Sequence, residues 1–317
     1  MPLAFAAAAP AASAQLPGVG NPPPGPTAAG AKLSLAIGSG LFDRKTKYVL
    51  QGDRLHVSGT IRPFVSGQTV DVQLFRHGKL IGHRKVKVKQ GQGGGVFNAV
   101  LGIRKAARYT VRAHHEANGQ QKGADSAKHR FRAIQPSIHS REAVRLLQIG
   151  LRRLGYVAPL TGRFQDGTAR AVLAFRKVNR MSHDYTPSRT VFRKLFHGAG
   201  TYHLRYPKAG THVEADLSRQ VLVLAAKGRA VQIYSVSSGK PSTPTIQGKF
   251  TFYRKDFGTN SHGMVDSSYF RGGYAIHGYA SVPATYPASH GCIRVPIPDA
   301  ARIYNSIRLG ETIYVYH

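Results

Sequence analysis

From about residue 31 to 134, apolar and polar positions alternate with a period of two, as in Arg54-Leu55-His56-Val57-Ser58 and Thr69-Val70-Asp71-Val72-Gln73-Leu74. Further runs follow at Arg84–Lys89, Val96–Ile103 and Tyr109–Ala113, punctuated by Gly, Asn and basic residues such as the Gly91–Gly95 turn. Successive side chains of a strand point to opposite faces, so each run predicts a half-buried strand. Several such strands at roughly ten-residue spacing predict an antiparallel β-sandwich of immunoglobulin-like type over 31–134. No cysteine pair accompanies it, so the expectation concerns architecture alone.

Over 139–197 the period becomes helical. Val144, Leu147, Gln148, Leu151 and Leu154 recur at helical spacing, and Gly155 stands where a helix would be capped. A second helix is expected from Asp166 or Thr168, either able to cap it, with Val172, Phe175 and Val178 on one stripe. A third is expected over Ser188–Phe196. From 203 to 317 strands return, at Val213–Asp216, Gln220–Ala225, Arg229–Ser237, Lys249–Tyr253, Tyr274–His277 and Thr312–Tyr316. One helix interrupts them near Asp299–Ile307, its face made of Ala300, Ile303, Tyr304 and Ile307 and its cap of Asp299. The fold class is therefore multidomain and mainly β, with a small α domain between an N-terminal β-sandwich and a C-terminal, mostly antiparallel β domain.

Two segments precede these units. Residues 1–14 are small and apolar, and Ala12-Ser13-Ala14 has the form of a secretory cleavage site, so they read as an export signal whose basic beginning is missing. Residues 15–30 are rich in Pro and Gly and read as an extended linker. An exported protein of the cell wall or extracellular space is the expectation, with no segment apolar enough over about 20 residues to span a bilayer.

Composition narrows the partners. Lys and Arg number 45 against 14 Asp and Glu, a net charge of +31 spread along the chain. Such a chain adheres to polyanions, and the charge by itself does not choose among nucleic acid, anionic membrane and anionic wall polymers. No helix-turn-helix, RNA-binding or zinc signature is present, and export would separate the chain from nucleic acid, so no nucleic-acid partner is expected. The single cysteine, Cys292, excludes an internal disulfide and an intramolecular two-cysteine metal site. His114-His115 reads as a surface pair rather than half a metal site.

On composition alone a lone cysteine is a small buried hydrophobe. Its neighbours argue otherwise. A cysteine nucleophile needs an imidazole to take its proton, a group to orient that imidazole, and donors aimed at the oxyanion. Tyr274-Ala275-Ile276-His277-Gly278, followed by Ser289-His290-Gly291-Cys292-Ile293-Arg294, offers a candidate for each. The amides of Gly291 and Cys292 are candidates for the oxyanion hole. Cys292 is expected to react only if His277 lies within hydrogen-bond reach of its sulfur.

These motifs, with the strand-turn segment Thr243-Pro244-Thr245-Ile246-Gln247-Gly248-Lys249-Phe250, resemble the catalytic domain of the L,D-transpeptidases, the YkuD family. The helical segment is similar to the three-helix peptidoglycan-binding domain through Leu147-Gln148, Leu154-Gly155-Tyr156, Thr161-Gly162-Arg163-Phe164 and Thr168 to Phe175, with Arg176 replacing the usual Gln. The resemblance implies a secreted enzyme forming 3→3 peptidoglycan cross-links by acyl transfer through Cys292, with His277 as base and the Gly278 carbonyl orienting it. His290 and Gly291 would line the oxyanion site. Ser289 and Arg294 belong to the motif, Arg294 either pinning a substrate carboxylate or bracing the loop. It implies no cofactor and no metal, and stem peptides and glycan as partners. L,D-carboxypeptidase action from the same site, and a non-catalytic basic wall-adhesion protein, are the alternatives. The segment Asp256–Arg271 is a candidate lid carrying Tyr269 and Phe270 onto substrate, or else part of the core.

Overall fold

The computed structural model describes residues 28–317; the expected export signal, 1–14, and most of the 15–30 linker lie outside them. The first unit contains β1 Lys32–Ile37, β2 Leu41–Asp43, β3 Thr46–Leu50, β4 Arg54–Arg62, β5 Thr69–Arg76, β6 Lys79–Lys87, β7 Lys89–Gly91, β8 Gly94–Gly102, β9 Ala107–His115, β10 Ala124–Asp125 and β11 His129–Ile134. They form two sheets, β1-β4-β8-β7 and β2-β3-β11-β9-β5-β6, with β10 paired to β9. Alternation places Leu55, Val57 and Ile61 of β4 and Val70, Val72 and Leu74 of β5 in one shared core. The pairing of β11 with β3 is parallel, which the local alternation does not encode.

Three helices follow, α1 Arg141–Arg153, α2 Asp166–Val178 and α3 Arg189–Phe196. Ser140 and Ser188 cap α1 and α3, each hydroxyl accepting a backbone N–H three residues on. Gly155 ends α1 as expected: its φ of 91° lets its own N–H donate to the Arg152 carbonyl and that of Tyr156 to the Leu151 carbonyl. The start of α2 differs from the sequence expectation. Gln165 holds the cap position without a side-chain bond, Asp166 is already helical, and Thr168 lies buried, its hydroxyl accepting from Gln148 Nε2 at 2.8 Å.

The last unit contains β12 His212–Asp216, β13 Val221–Ala226, β14 Arg229–Ser235, β15 Gly248–Thr251, β16 Arg254–Thr259, β17 Val265–Arg271, β18 Tyr274–Tyr279, β19 Ile293–Pro296, α4 Ile297–Ser306 and β20 Thr312–Tyr316. Two sheets, β14-β13-β12-β20-β15 and β16-β17-β18-β19, enclose a core that includes Phe252, Phe270, Ile276, Ile293 and Ile303. Pairing is antiparallel except between β12 and β20 and between β18 and β19. Helix α4 begins earlier than expected, with Pro296 at its cap; Asp299 instead receives the Arg170 guanidinium at 2.8 and 3.0 Å.

The helical unit is the seam of the molecule. One core cluster joins Leu41, Tyr48, Leu50 and Ile134 of the first unit, Leu147, Phe175 and Phe192 of the helices, and Val221, Val223 and Ile233 of the last unit. Burial of each such side chain contributes about 1.5–3 kcal/mol. At the second seam Lys177 is 1% exposed, and its Nζ donates to the Val236 and Gln220 carbonyls at 3.0 and 3.4 Å. Burial pushes its pKa down to about 7 from 10.5.

An unfolded chain therefore keeps the Lys177 proton between pH 7 and 10.5 while the folded one releases it, so this residue makes stability rise with pH across that window. Urea denaturation of Lys177→Met over the same range is expected to show a flatter dependence than the wild-type protein.

Candidate active site

Strands β18 and β19 run parallel, with Ile276 opposite Ile293 and His277 opposite Arg294. Ile276, Ile293 and Val295 point into the core. By alternation His277, Tyr279 and Arg294 take the opposite face, and Cys292, two residues before Arg294, joins them. The pairing thus brings to one surface two residues that stand fifteen positions apart in sequence.

The imidazole of His277 is buried, and its Nδ1–H donates to the Gly278 carbonyl at 2.9 Å. That bond selects the tautomer whose Nε2 carries a lone pair. Glycine at 278 suits a close approach, since a Cβ there would lie 2.7 Å from that of Ala300 in α4. Burial lowers the His277 pKa; the Gly278 bond opposes this, and the positive Arg294 adds to it. Burial also pushes the Cys292 thiol up, against the pull of the Ala275 amide and Arg294. Both environments favour a neutral resting pair, thiol beside imidazole, over a standing ion pair. The thiol donates to the Gly273 carbonyl at 3.5 Å, and no hydrogen bond joins it to His277. The strand pairing puts the two residues on one face, whereas the expected sulfur-to-imidazole hydrogen bond is not formed in this arrangement.

The loop carrying Cys292 is tied from within and from outside. Buried Ser289 accepts from Gly291 N–H at 3.0 Å and donates to the Cys292 carbonyl at 2.5 Å. Gly291 has φ of 120°, and a Cβ there would lie 2.7 Å from the Tyr274 ring, so only glycine fits. The Thr-Pro segment clamps the outside: Thr243 Oγ1 and the Lys240 amide both donate to the Ser289 carbonyl at 3.0 Å. These bonds correct one expectation. The Gly291 amide is occupied by Ser289 and is not available to an oxyanion, which leaves the Cys292 amide as the loop's candidate donor. His290 is exposed, and its Nε2 accepts from Lys240 Nζ at 3.3 Å. Arg294 braces the loop, donating to the Ala288 carbonyl at 3.3 Å with its guanidinium 4.0 Å above the Tyr279 ring.

The candidate lid is not a lid where its aromatics are concerned. Tyr269 and Phe270 belong to strand β17 and are 5% and 2% exposed, Phe270 packing against Phe250 and Phe252. The Gly- and Ser-rich composition of this segment hides two strands whose pairing buries them. His115 is likewise not a surface residue: it is buried, with Nδ1 bonded to the Thr69 carbonyl at 2.9 Å, while His114 pairs with Asp125. Sequence reasoning missed Tyr279, Gly273 and Lys240. Tyr279 was accessible to it, being two residues past His277 and so on the same strand face; the other two depend on how separate segments meet.

A mixed β scaffold thus carries a cysteine and a histidine on one face, and a three-helix unit shares its core with that scaffold. The family model of the L,D-transpeptidase catalytic domain, YkuD, matches residues 210–315, and that of the peptidoglycan binding domain matches 140–184. The crystal structure of the L,D-transpeptidase (residues 123–326) from Xylanimonas cellulosilytica is 32% identical, covering 55% of this chain and 92% of its own, with a TM-score of 0.51. The catalytic domain of the Enterococcus faecium L,D-transpeptidase, solved by NMR, is 25% identical over 34% of this chain and 98% of its own, with a TM-score of 0.30. An L,D-transpeptidase from Mycobacterium tuberculosis is 13% identical over 89% and 98%, with a TM-score of 0.31. Comparison with curated proteins gives no match. The chain belongs to the L,D-transpeptidases of the YkuD family and carries a peptidoglycan-binding domain ahead of the catalytic one.

Ser289→Ala would leave a buried N–H at Gly291 and the Cys292 carbonyl without their partner. A loss of about 1–3 kcal/mol of stability is expected, read as a lower denaturation midpoint in urea.

Proposed function

We propose that the protein is an exported cell-wall enzyme that forms 3→3 peptidoglycan cross-links, with Cys292 as nucleophile and His277 as its base. The observation that carries this reading is the face shared by Cys292 and His277, on which Nδ1 of the imidazole is held by Gly278 and Nε2 is left free. The thiol must leave the Gly273 carbonyl for its proton to reach Nε2.

In the first step Sγ attacks the carbonyl of the third residue of a donor stem while its proton passes to Nε2. The Cys292 amide stabilises the oxyanion. The intermediate collapses by breaking the bond to the terminal D-Ala, whose amine takes the proton back from the imidazolium, and a thioester remains on Cys292. In the second step a side-chain amine of a neighbouring stem attacks the thioester and gives its proton to His277. The sulfur leaves and recovers that proton, which restores the thiol. Water in place of the amine turns the same sequence into carboxypeptidase action.

The peptidoglycan-binding domain supports wall association, and the charge of +31 adds a second hold on anionic wall polymers. A concavity of about 600 Å³ in the first unit gathers Lys45, His77, Arg108, Arg130 and Arg132 in one place for such a contact. The Ala12-Ser13-Ala14 site supports export. Among the described residues no helix is long and apolar enough to cross a membrane.

Muropeptides made by the purified protein, analysed by mass spectrometry, test the reading. Wild type is expected to yield 3→3 cross-linked dimers and Cys292→Ala none, while His277→Ala should retain about 10⁻² to 10⁻⁴ of the rate. Unchanged product from Cys292→Ala would overturn the proposal, and tripeptide alone would assign the site to hydrolysis. Because the His277 pKa is lowered from 6.5 and the base acts in its neutral form, the acid limb of the kcat/KM profile is expected below pH 6.5.

A further inference from the structure

Beside the seam that Lys177 occupies lies a concavity of about 630 Å³. Its walls include Lys177 and Arg180 at the end of α2, His183 in the loop that follows, Ser218 and Arg219 in the turn between β12 and β13, and His317. The helical and catalytic units each supply one side. The reaction proposed for Cys292 and His277 uses none of these residues.

The backbone puts a cation where a glycine would be easier. Arg180 has φ of 53°; its amide donates to the Lys177 carbonyl at 3.1 Å, and that of Met181 donates to the Arg176 carbonyl at 2.9 Å. This is the helix ending that favours glycine, so a side chain is held there at a cost. Lys177 is 1% exposed, yet its two hydrogen bonds go to uncharged carbonyls, and the third N–H of an ammonium has no acceptor among the described residues. Burial, followed by the charges of Lys177 and Arg176, lowers the pKa of His183. The carboxylates nearby are taken: Asp184 receives Arg176, and Asp216 receives Arg219. The His317 carbonyl oxygen receives Arg205 at 3.0 Å. Arg180 is exposed, and its guanidinium makes no ion pair or hydrogen bond among the described residues. Cationic groups thus line one concavity, and no acidic side chain lines it with them.

We propose that this concavity binds a phosphate group, with Lys177, Arg180 and His183 on one side and Ser218 and Arg219 on the other. Donors from three segments surround a tetrahedral anion, whose oxygens point in four directions, better than they surround a planar carboxylate. A bound anion keeps the proton on Lys177 and ties the helical unit to the catalytic one across the seam. Free phosphate and the phosphodiester of a polymer present the same oxygens. The site is independent of the chemistry read at Cys292.

Isothermal titration calorimetry of the full chain, at fixed ionic strength to hold general screening constant, tests the site. Sulfate is the first probe, because it shares the tetrahedral shape and does not titrate at about pH 8, where Lys177 is mostly unprotonated. Titrations in two buffers of different ionisation enthalpy are expected to show saturable binding with uptake of up to about one proton. Arg180→Gly combined with His183→Ala should weaken binding by about tenfold or more, and Lys177→Met should abolish the proton uptake. Arg84→Ala, which removes an exposed cation of β6, should change neither. Inorganic phosphate and a glycerol phosphate oligomer then separate the sources: tighter binding of the oligomer assigns the site to a polymer, and equal binding assigns it to the free ion. Equal binding of acetate, an affinity unmoved by Arg180→Gly with His183→Ala, proton uptake that survives Lys177→Met, or the absence of saturable binding to wild type would overturn the proposal.

Discussion

The parallel pairing of β18 with β19 is the constraint on which the site depends. A parallel ladder fixes which side chains stand abreast and, through alternation, which face each takes. Here it commits Ile276, Ile293 and Val295 to the core and His277, Arg294 and Cys292 to the opposite face. The hydrophobic half of each strand therefore holds the polar half in place. A slip of one residue would turn the imidazole into the apolar core and Ile276 onto the face of Cys292, so core packing and active-site geometry are specified together.

Burial sets the electrostatics of that face. It disfavours charge on His277 and Cys292 alike, and Arg294 favours the thiolate while opposing the imidazolium. Neutral groups can share this face without a counter-ion. The surrounding bonds are rigid where the chemistry needs a fixed backbone: Ser289 inside the loop, the Thr-Pro segment outside it, and α4 packed against Gly278.

The helical unit gives the molecule its continuity. Its core is shared with both β units, and ion pairs cross each seam, Arg145 with Asp43 on one side and Arg170 with Asp299 on the other. Exposed or half-exposed pairs of this kind contribute little energy and mostly fix orientation. The apolar cluster supplies the adhesion. A peptidoglycan-binding domain that shares its core with a catalytic one, with a groove between them, is a different device from two domains joined by a linker alone.

Local pattern determined a good deal of this protein. Period-two alternation marked β4, β5, β6, β8 and β9, helical spacing marked α1, α2 and α3 with Gly155 at the end of the first, and the residues around Cys292 marked the family, because each of these signals lies within a few neighbouring positions. The Gly- and Ser-rich strands β16 and β17 were not legible, since their burial comes from pairing and not from their own hydrophobicity, and so Tyr269 and Phe270 were open to misplacement. Nor did the sequence show that Ser289 occupies the Gly291 amide, that the Cys292 thiol rests on Gly273, or that Tyr279 opens onto an interdomain groove. Those facts join residues far apart along the chain, and only the packing of strands and units decides which of them meet.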